Sequence, residues 1–240
     1  MYTEYADALG FLPPVNVFDQ TKKSAPEPVQ QDVLKQAGIP LDFPVWLPFA
    51  AKEYQISKDP KDYILAPVIS IPAGLPNRNG VAFPLATLLE WNVDHGMQAY
   101  RTFVGKPMFI EHNNSDHTKA IGVIVDAAMR PVRTHGQGKQ WKLIKLAAID
   151  RNKGYEVADP ILSGDLNTYS MGAYVESYSC GYCGSPMGLC SHINKRNLKD
   201  FYVNNGRLVF RQVHGIVGFE FSVVKVPAFT PAASNLTFSL

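Results

Sequence analysis

The chain has 240 residues, 46% of them hydrophobic and 11% aromatic, which is enough apolar mass for one or two domains of about 150 residues and too much for a disordered chain. Its 23 Lys+Arg against 21 Asp+Glu leave a formal charge of +2, too little to mark nucleic acid or an anionic membrane as the main partner. No apolar run approaches the ~20 residues of a membrane span, and Met1-Tyr2-Thr3-Glu4 lacks the basic-then-apolar order of a signal peptide. The chain therefore reads as soluble and non-secreted.

Pro13, Pro14, Pro26, Pro28, Pro40, Pro44, Pro48 and Pro60 crowd the first sixty residues. Each lacks a backbone N–H and fixes φ, so 1–60 is expected to form a proline-rich wrap without a long helix or central strand. One short helix is expected over 32–37, capped by Asp32 and stopped by Gly38 and Pro40. Residues 61–240 form the main domain. It opens on a branched run at 63–71 that reads as a strand, with Pro67 pointing to an edge or a bulge. Asn77-Arg78-Asn79-Gly80 makes a turn, and Pro84 starts a helix through Leu85, Leu88 and Leu89 that continues past Trp91. Beyond Gly105, strands are expected at 108–112, 120–127, 142–149, 168–177, 207–210 and 218–226, with one helix at 155–162. Many strands, few helices and no βαβ alternation predict an α+β fold, mainly an antiparallel β-barrel with flanking helices.

All three cysteines, Cys180, Cys183 and Cys190, fall close together, and His192 follows. Three thiolates and an imidazole are the ligand set of a tetrahedral zinc site, and the two-residue spacer lets Cys180 and Cys183 reach one ion from a tight turn. Four protein ligands leave no open position, so the zinc is expected to be structural. It would supply the local folding free energy of a zinc-binding insertion at 178–200. The basic run at 194–199 reads as a solvated loop.

Ser170 lies in Tyr169-Ser170-Met171-Gly172, where the glycine lets another backbone approach, and His112 ends the predicted strand that starts at Met108. Histidine has the side chain best suited to accept a serine proton near neutral pH. Spacing alone does not join the two, since most Ser/His pairs are unrelated. Four stretches in order carry a resemblance: Asn77 to Pro84, Gly105 to His112, Tyr169 to Gly172, and the last predicted strand with Glu220, Ser222, Pro227 and Ala228. Together they resemble the landmarks of the tailed-phage prohead proteases, capsid-maturation serine proteases related in fold to the herpesvirus assemblins.

The resemblance implies Ser170 as nucleophile and His112 as general base. It also suggests Glu220 as the group that orients the imidazole, with His214 as competitor because assemblins use a second histidine. Plain alternation puts His214, Gly218, Glu220 and Ser222 on one face, but the first and third of these lie about 20 Å apart along a strand, so only one can meet His112. The bland reading of Glu220 is a solvent-facing residue between Phe219 and Phe221. Glu111 points to the opposite face from His112, Asp116 closes a turn, and a loop metal site of His112, Asp116 and His117 has weak support. The oxyanion donors stay unassigned, with an N–H near Gly172 as one choice.

The implied function is a serine endopeptidase that cleaves scaffold and major capsid proteins during phage head maturation, in the host cytoplasm inside the assembling procapsid. Catalysis needs no cofactor, no membrane or direct nucleic-acid contact is expected, and a homo-oligomer is compatible with this reading. The alternative is a non-catalytic virion or scaffold protein that keeps the fold and zinc knuckle for assembly contacts.

Overall fold

The computed structural model describes residues 2–9, 43–134, 138–193 and 202–225. Its elements in chain order begin with β1 (Tyr2–Leu9), α1 (Phe43–Tyr54), β2 (Tyr63–Pro72), β3 (Val81–Ala82), α2 (Leu85–Leu89), β4 (Trp91–Asn92), β5 (Met97–Gln98) and β6 (Pro107–Ile110). They continue with β7 (Gly122–Thr134), β8 (Gly138–Asp150), α3 (Tyr155–Ser163), β9 (Thr168–Cys180), β10 (Tyr202–Asn204), β11 (Arg207–Val209) and β12 (Arg211–Val223). Among the described residues the fold is thus α+β, mostly strands with few helices.

One eight-stranded sheet runs in the order β1-β9-β12-β6-β7-β8-β2, with β3 attached to β12. Its pairings are antiparallel except that β12 runs parallel to both β6 and β3. The expected barrel is not closed. β1 comes near β2 but no ladder joins them, and β2 carries Pro67 and Pro72, which offer no N–H for a further strand. The strand expected at 63–71 is therefore an edge, with a register shift between Ile69 and Ile71.

The proline argument fails at α1, a twelve-residue helix. Pro44 sits in the first turn, where its missing N–H is unused. Leu47, Ala50, Ala51 and Tyr54 form a buried stripe against Tyr63, Leu65, Phe109, Val123 and Leu146, and this burial offsets the bond that Pro48 cannot make. The helix expected at 32–37 lies outside the described residues. The helix after Pro84 is shorter than expected because Trp91 and Val93 stay exposed and give it no face to bury. The chain turns there into the β4–β5 hairpin. The strands expected at 120–127, 142–149 and 168–177 are extended to thirteen residues each, and β12 begins at Arg211 instead of 218.

The larger core gathers residues from β2, β3, β6–β9, β12 and the helices α2 and α3. Inside it sits Lys145 of β8, 0% exposed. Its Nζ donates to Met171 Sδ at 3.0 Å and lies 3.5 Å from the centre of the Phe103 ring and 4.6 Å from that of Phe221. Burial holds this amine well below the usual lysine range, and only the charge of Glu220 works against that shift. The unfolded chain therefore binds a proton that the folded chain resists, so this residue's contribution to stability rises with pH up to the ordinary lysine value near ~10.4. Lys145→Met is expected to stabilise the fold by roughly 1–4 kcal/mol at pH 7. The gain should shrink as the pH approaches ~10, as measured by denaturant melts at several pH values.

Candidate active site and cysteine cluster

The site is built on the β9–β12 pair. The two strands keep one register from Cys180↔Arg211 to Ala173↔Gly218, then slip so that Gly172 faces Glu220 and Ser170 faces Ser222. This bulge admits one extra residue, Phe219, and moves Glu220 and Ser222 to the face opposite that of Gly218. The common face expected from plain alternation is therefore broken between Gly218 and Glu220. A Cβ on Gly172 would lie 2.3 Å from the Phe219 ring and 2.8 Å from Glu220 Oε1, so only glycine leaves room there for the carboxylate. Phe219 also packs against Tyr174, with ring centres 4.7 Å apart.

His112 reaches this face from β6, the parallel neighbour of β12. The strand stops at Ile110, two residues earlier than expected, and Glu111 and His112 both take left-handed backbone with φ of 50° and 56°. Two successive non-glycine residues in that region cost about 1–2 kcal/mol each. They are held by Glu111 N–H on the Val223 carbonyl at 2.9 Å and by Lys225 N–H on Glu111 Oε1 at 2.7 Å. The turn brings His112 Nδ1 to 3.1 Å from Glu220 Oε1, the imidazole side chain being 28% exposed and the carboxylate 0%. Ser222 Oγ–H donates to the other oxygen, Oε2, at 2.5 Å. Glu220 is thus a fully buried carboxylate gripped at both oxygens, not a solvent-facing strand residue.

Ser170 is 0% exposed, and its Oγ has no hydrogen-bond partner among the described residues. The structure brings His112 and Glu220 together and sets Ser170 on the same strand pair, without a hydrogen bond from Ser170 to His112 in this form. His214 stands apart, with Nε2 2.7 Å from Ser179 Oγ. Asp116 caps the turn at His117–Lys119 by accepting from the N–H and hydroxyl of Thr118. His117 packs edge-on against Tyr54. Sequence reasoning missed Ser222 as a partner of Glu220, though a serine two residues after a glutamate on a strand was its one legible signal.

The ligand atoms of Cys180, Cys183, Cys190 and His192 all lie within 4.8 Å of one another, a set compatible with a metal ion. Cys183 and Cys190 Sγ are 3.5 Å apart, as are Cys190 Sγ and His192 Nδ1, close to the edges of a tetrahedron with Zn–S of about 2.3 Å. The backbone pre-forms the turn: Gly184 N–H bonds the Cys180 carbonyl at 2.7 Å with φ of +75° at Gly184. Gly181 leaves space for the Phe210 ring, which a Cβ would meet at 2.3 Å. Bonds from Ser185 bring the Cys183 thiol down to about 6, whereas burial pushes the Cys180 thiol up. The segment is less bare than its composition suggests, since Cys180, Cys190, Ile193 and Val209 form a small buried cluster with Tyr182 and Met187 against it. The basic run at 194–199 lies outside the described residues.

No protein-family profile matches the chain, and no curated protein does. Among solved structures it is similar to the bacteriophage T4 capsid assembly protease gp21, with 16% identity, 68% of this chain and 82% of that chain covered, and a TM-score of 0.40. Neither figure transfers a chemistry, which rests on the site's own geometry. No helix among the described residues is long and apolar enough to cross a membrane.

Proposed function

We propose that this chain is a serine endopeptidase of the prohead-protease type, acting on scaffold and capsid polypeptides inside an assembling phage head. The observation that carries the reading is the imidazole of His112 held by the fully buried carboxylate of Glu220 on the strand pair that bears Ser170. A carboxylate on Nδ1 fixes the tautomer in which Nε2 carries the lone pair of a base, and it stabilises the imidazolium that forms. Ser170 then attacks the scissile carbonyl as His112 takes its proton, and the imidazolium returns that proton to the leaving amine. The substrate class comes from the order of the sequence landmarks.

The closed state of the serine has a consequence. A polypeptide reaches Ser170 only after the side chains packed over this face move, the Phe219 ring over Gly172 among them. That burial is also what favours the rival reading, a non-catalytic assembly protein. Co-expression with a phage scaffold or capsid polypeptide separates the two. Trimming by the wild type and none by Ser170→Ala is expected, and an untrimmed polypeptide in both would assign the assembly role.

Cys180, Cys183, Cys190 and His192 would hold one zinc ion as a closed structural site, bracing the end of β9 against the β10–β11 hairpin. Metal analysis is expected to give one zinc per chain, and chelation should raise hydrogen exchange first over 178–193. Well under one equivalent, with all three thiols freely reactive under native conditions, would sink this assignment.

A further inference from the structure

We propose that Ser222 is a positioning residue that sets the charge and aim of Glu220, an inference that rests on the endopeptidase reading above. Two buried serines face each other across the β9–β12 ladder, Ser170 and Ser222, both 0% exposed. Their hydroxyls are in opposite states. Ser170 Oγ has no partner among the described residues, whereas Ser222 Oγ is committed to Glu220 Oε2 at 2.5 Å. The free hydroxyl is the one available to attack, and the committed one holds the carboxylate.

The bulge makes this division. Without the extra Phe219, Glu220 and Ser222 would turn to the core face with Gly218, away from Ser170. With it, the carboxylate is gripped by Ser222 on one oxygen and turned to His112 Nδ1 with the other. A buried carboxylate needs such donors to stay ionised, because no water replaces them. Lys145 of β8 is the other titratable group near it among the described residues, its amine drawn back toward the ordinary range by the charge of Glu220, and Asp7 of β1 stands at the register position opposite Ser170. β9 offers only Ser170, Met171 and Gly172 beside Glu220. Removing the Ser222 hydroxyl leaves one oxygen unsatisfied and His112 as the carboxylate's one remaining donor of the two, so the His112 imidazolium is held more tightly.

The test is the titration of the His112 ring followed by NMR in the full chain, which needs no turnover, together with the pH profile of fluorophosphonate labelling. In Ser222→Ala the His112 midpoint is expected to rise by about one pH unit. The acid limb of labelling at Ser170 should move the same way, slowing the reaction about tenfold on that limb. Ser222→Thr keeps a donor and should keep the wild-type midpoint. An unchanged midpoint in Ser222→Ala, a Thr variant shifted as far as the Ala variant, or a probe that labels Ser222 in place of Ser170 would each overturn the proposal. Absence of labelling in the wild type would instead count against the endopeptidase reading, and the His112 midpoint would still decide the part played by Ser222.

Discussion

Ser170→Ala is expected to abolish peptide-bond cleavage, with kcat falling by roughly six orders of magnitude, the loss seen when a serine nucleophile is deleted from a working triad. The fold should not suffer. Ser170 is wholly buried with an unpartnered hydroxyl, and a buried hydroxyl without a bond is a liability that alanine removes. Thermal melting is therefore expected at or slightly above the wild-type temperature. The combination is diagnostic, because a serine kept only for packing would show no loss of cleavage on becoming alanine. Wild-type cleavage of a co-expressed scaffold polypeptide by a well-folded Ser170→Ala protein would end the serine-protease assignment.

Most strands could be read from the sequence because they are branched, apolar and bounded by turn residues, as at 63–71 and 142–149. What escaped depends on contacts between distant residues. Helix α1 survives two prolines because Leu47, Ala50, Ala51 and Tyr54 bury against strands up to about a hundred residues further along, a gain that no local propensity contains. The barrel prediction failed on a single question, whether β1 and β2 pair, and strand count does not answer it.

The site shows the same division. His112, Glu220, Ser170 and the cysteine cluster could be picked out as candidates, because side-chain type and order are what a sequence carries. Their arrangement could not be. Alternation by two places Glu220 with Gly218, and only the bulge at Phe219 reverses it, at the position where Gly172 leaves space for the carboxylate. The left-handed turn at Glu111 and His112 was equally hidden, since neither position holds the glycine that usually marks that conformation. Lys145 is the further case: a lysine between apolar strand neighbours reads as an outward residue, yet it lies in the core against Phe103 and Phe221.

The identity of the third catalytic group is decided by comparing Glu220→Gln with His214→Ala. The glutamine keeps the size of Glu220 but has one acceptor oxygen where the carboxylate has two, so it can accept from His112 Nδ1 or from Ser222 and not from both in this arrangement. It removes the negative charge that favours the imidazolium, and it allows the amide to donate to the ring and fix the wrong tautomer. By analogy with other serine triads, turnover should fall about 10⁴-fold. His214 bonds Ser179 beyond the bulge, so His214→Ala should change turnover by less than about threefold, the size of effect ordinary for a residue outside the reacting groups. If His214→Ala instead loses activity while Glu220→Gln stays near wild type, a Ser-His-His arrangement is right and Glu220 is not the orienting group. Small effects from both would leave Ser170 and His112 acting as a dyad, with the His112–Glu220 contact reduced to a structural tie between the end of β6 and β12.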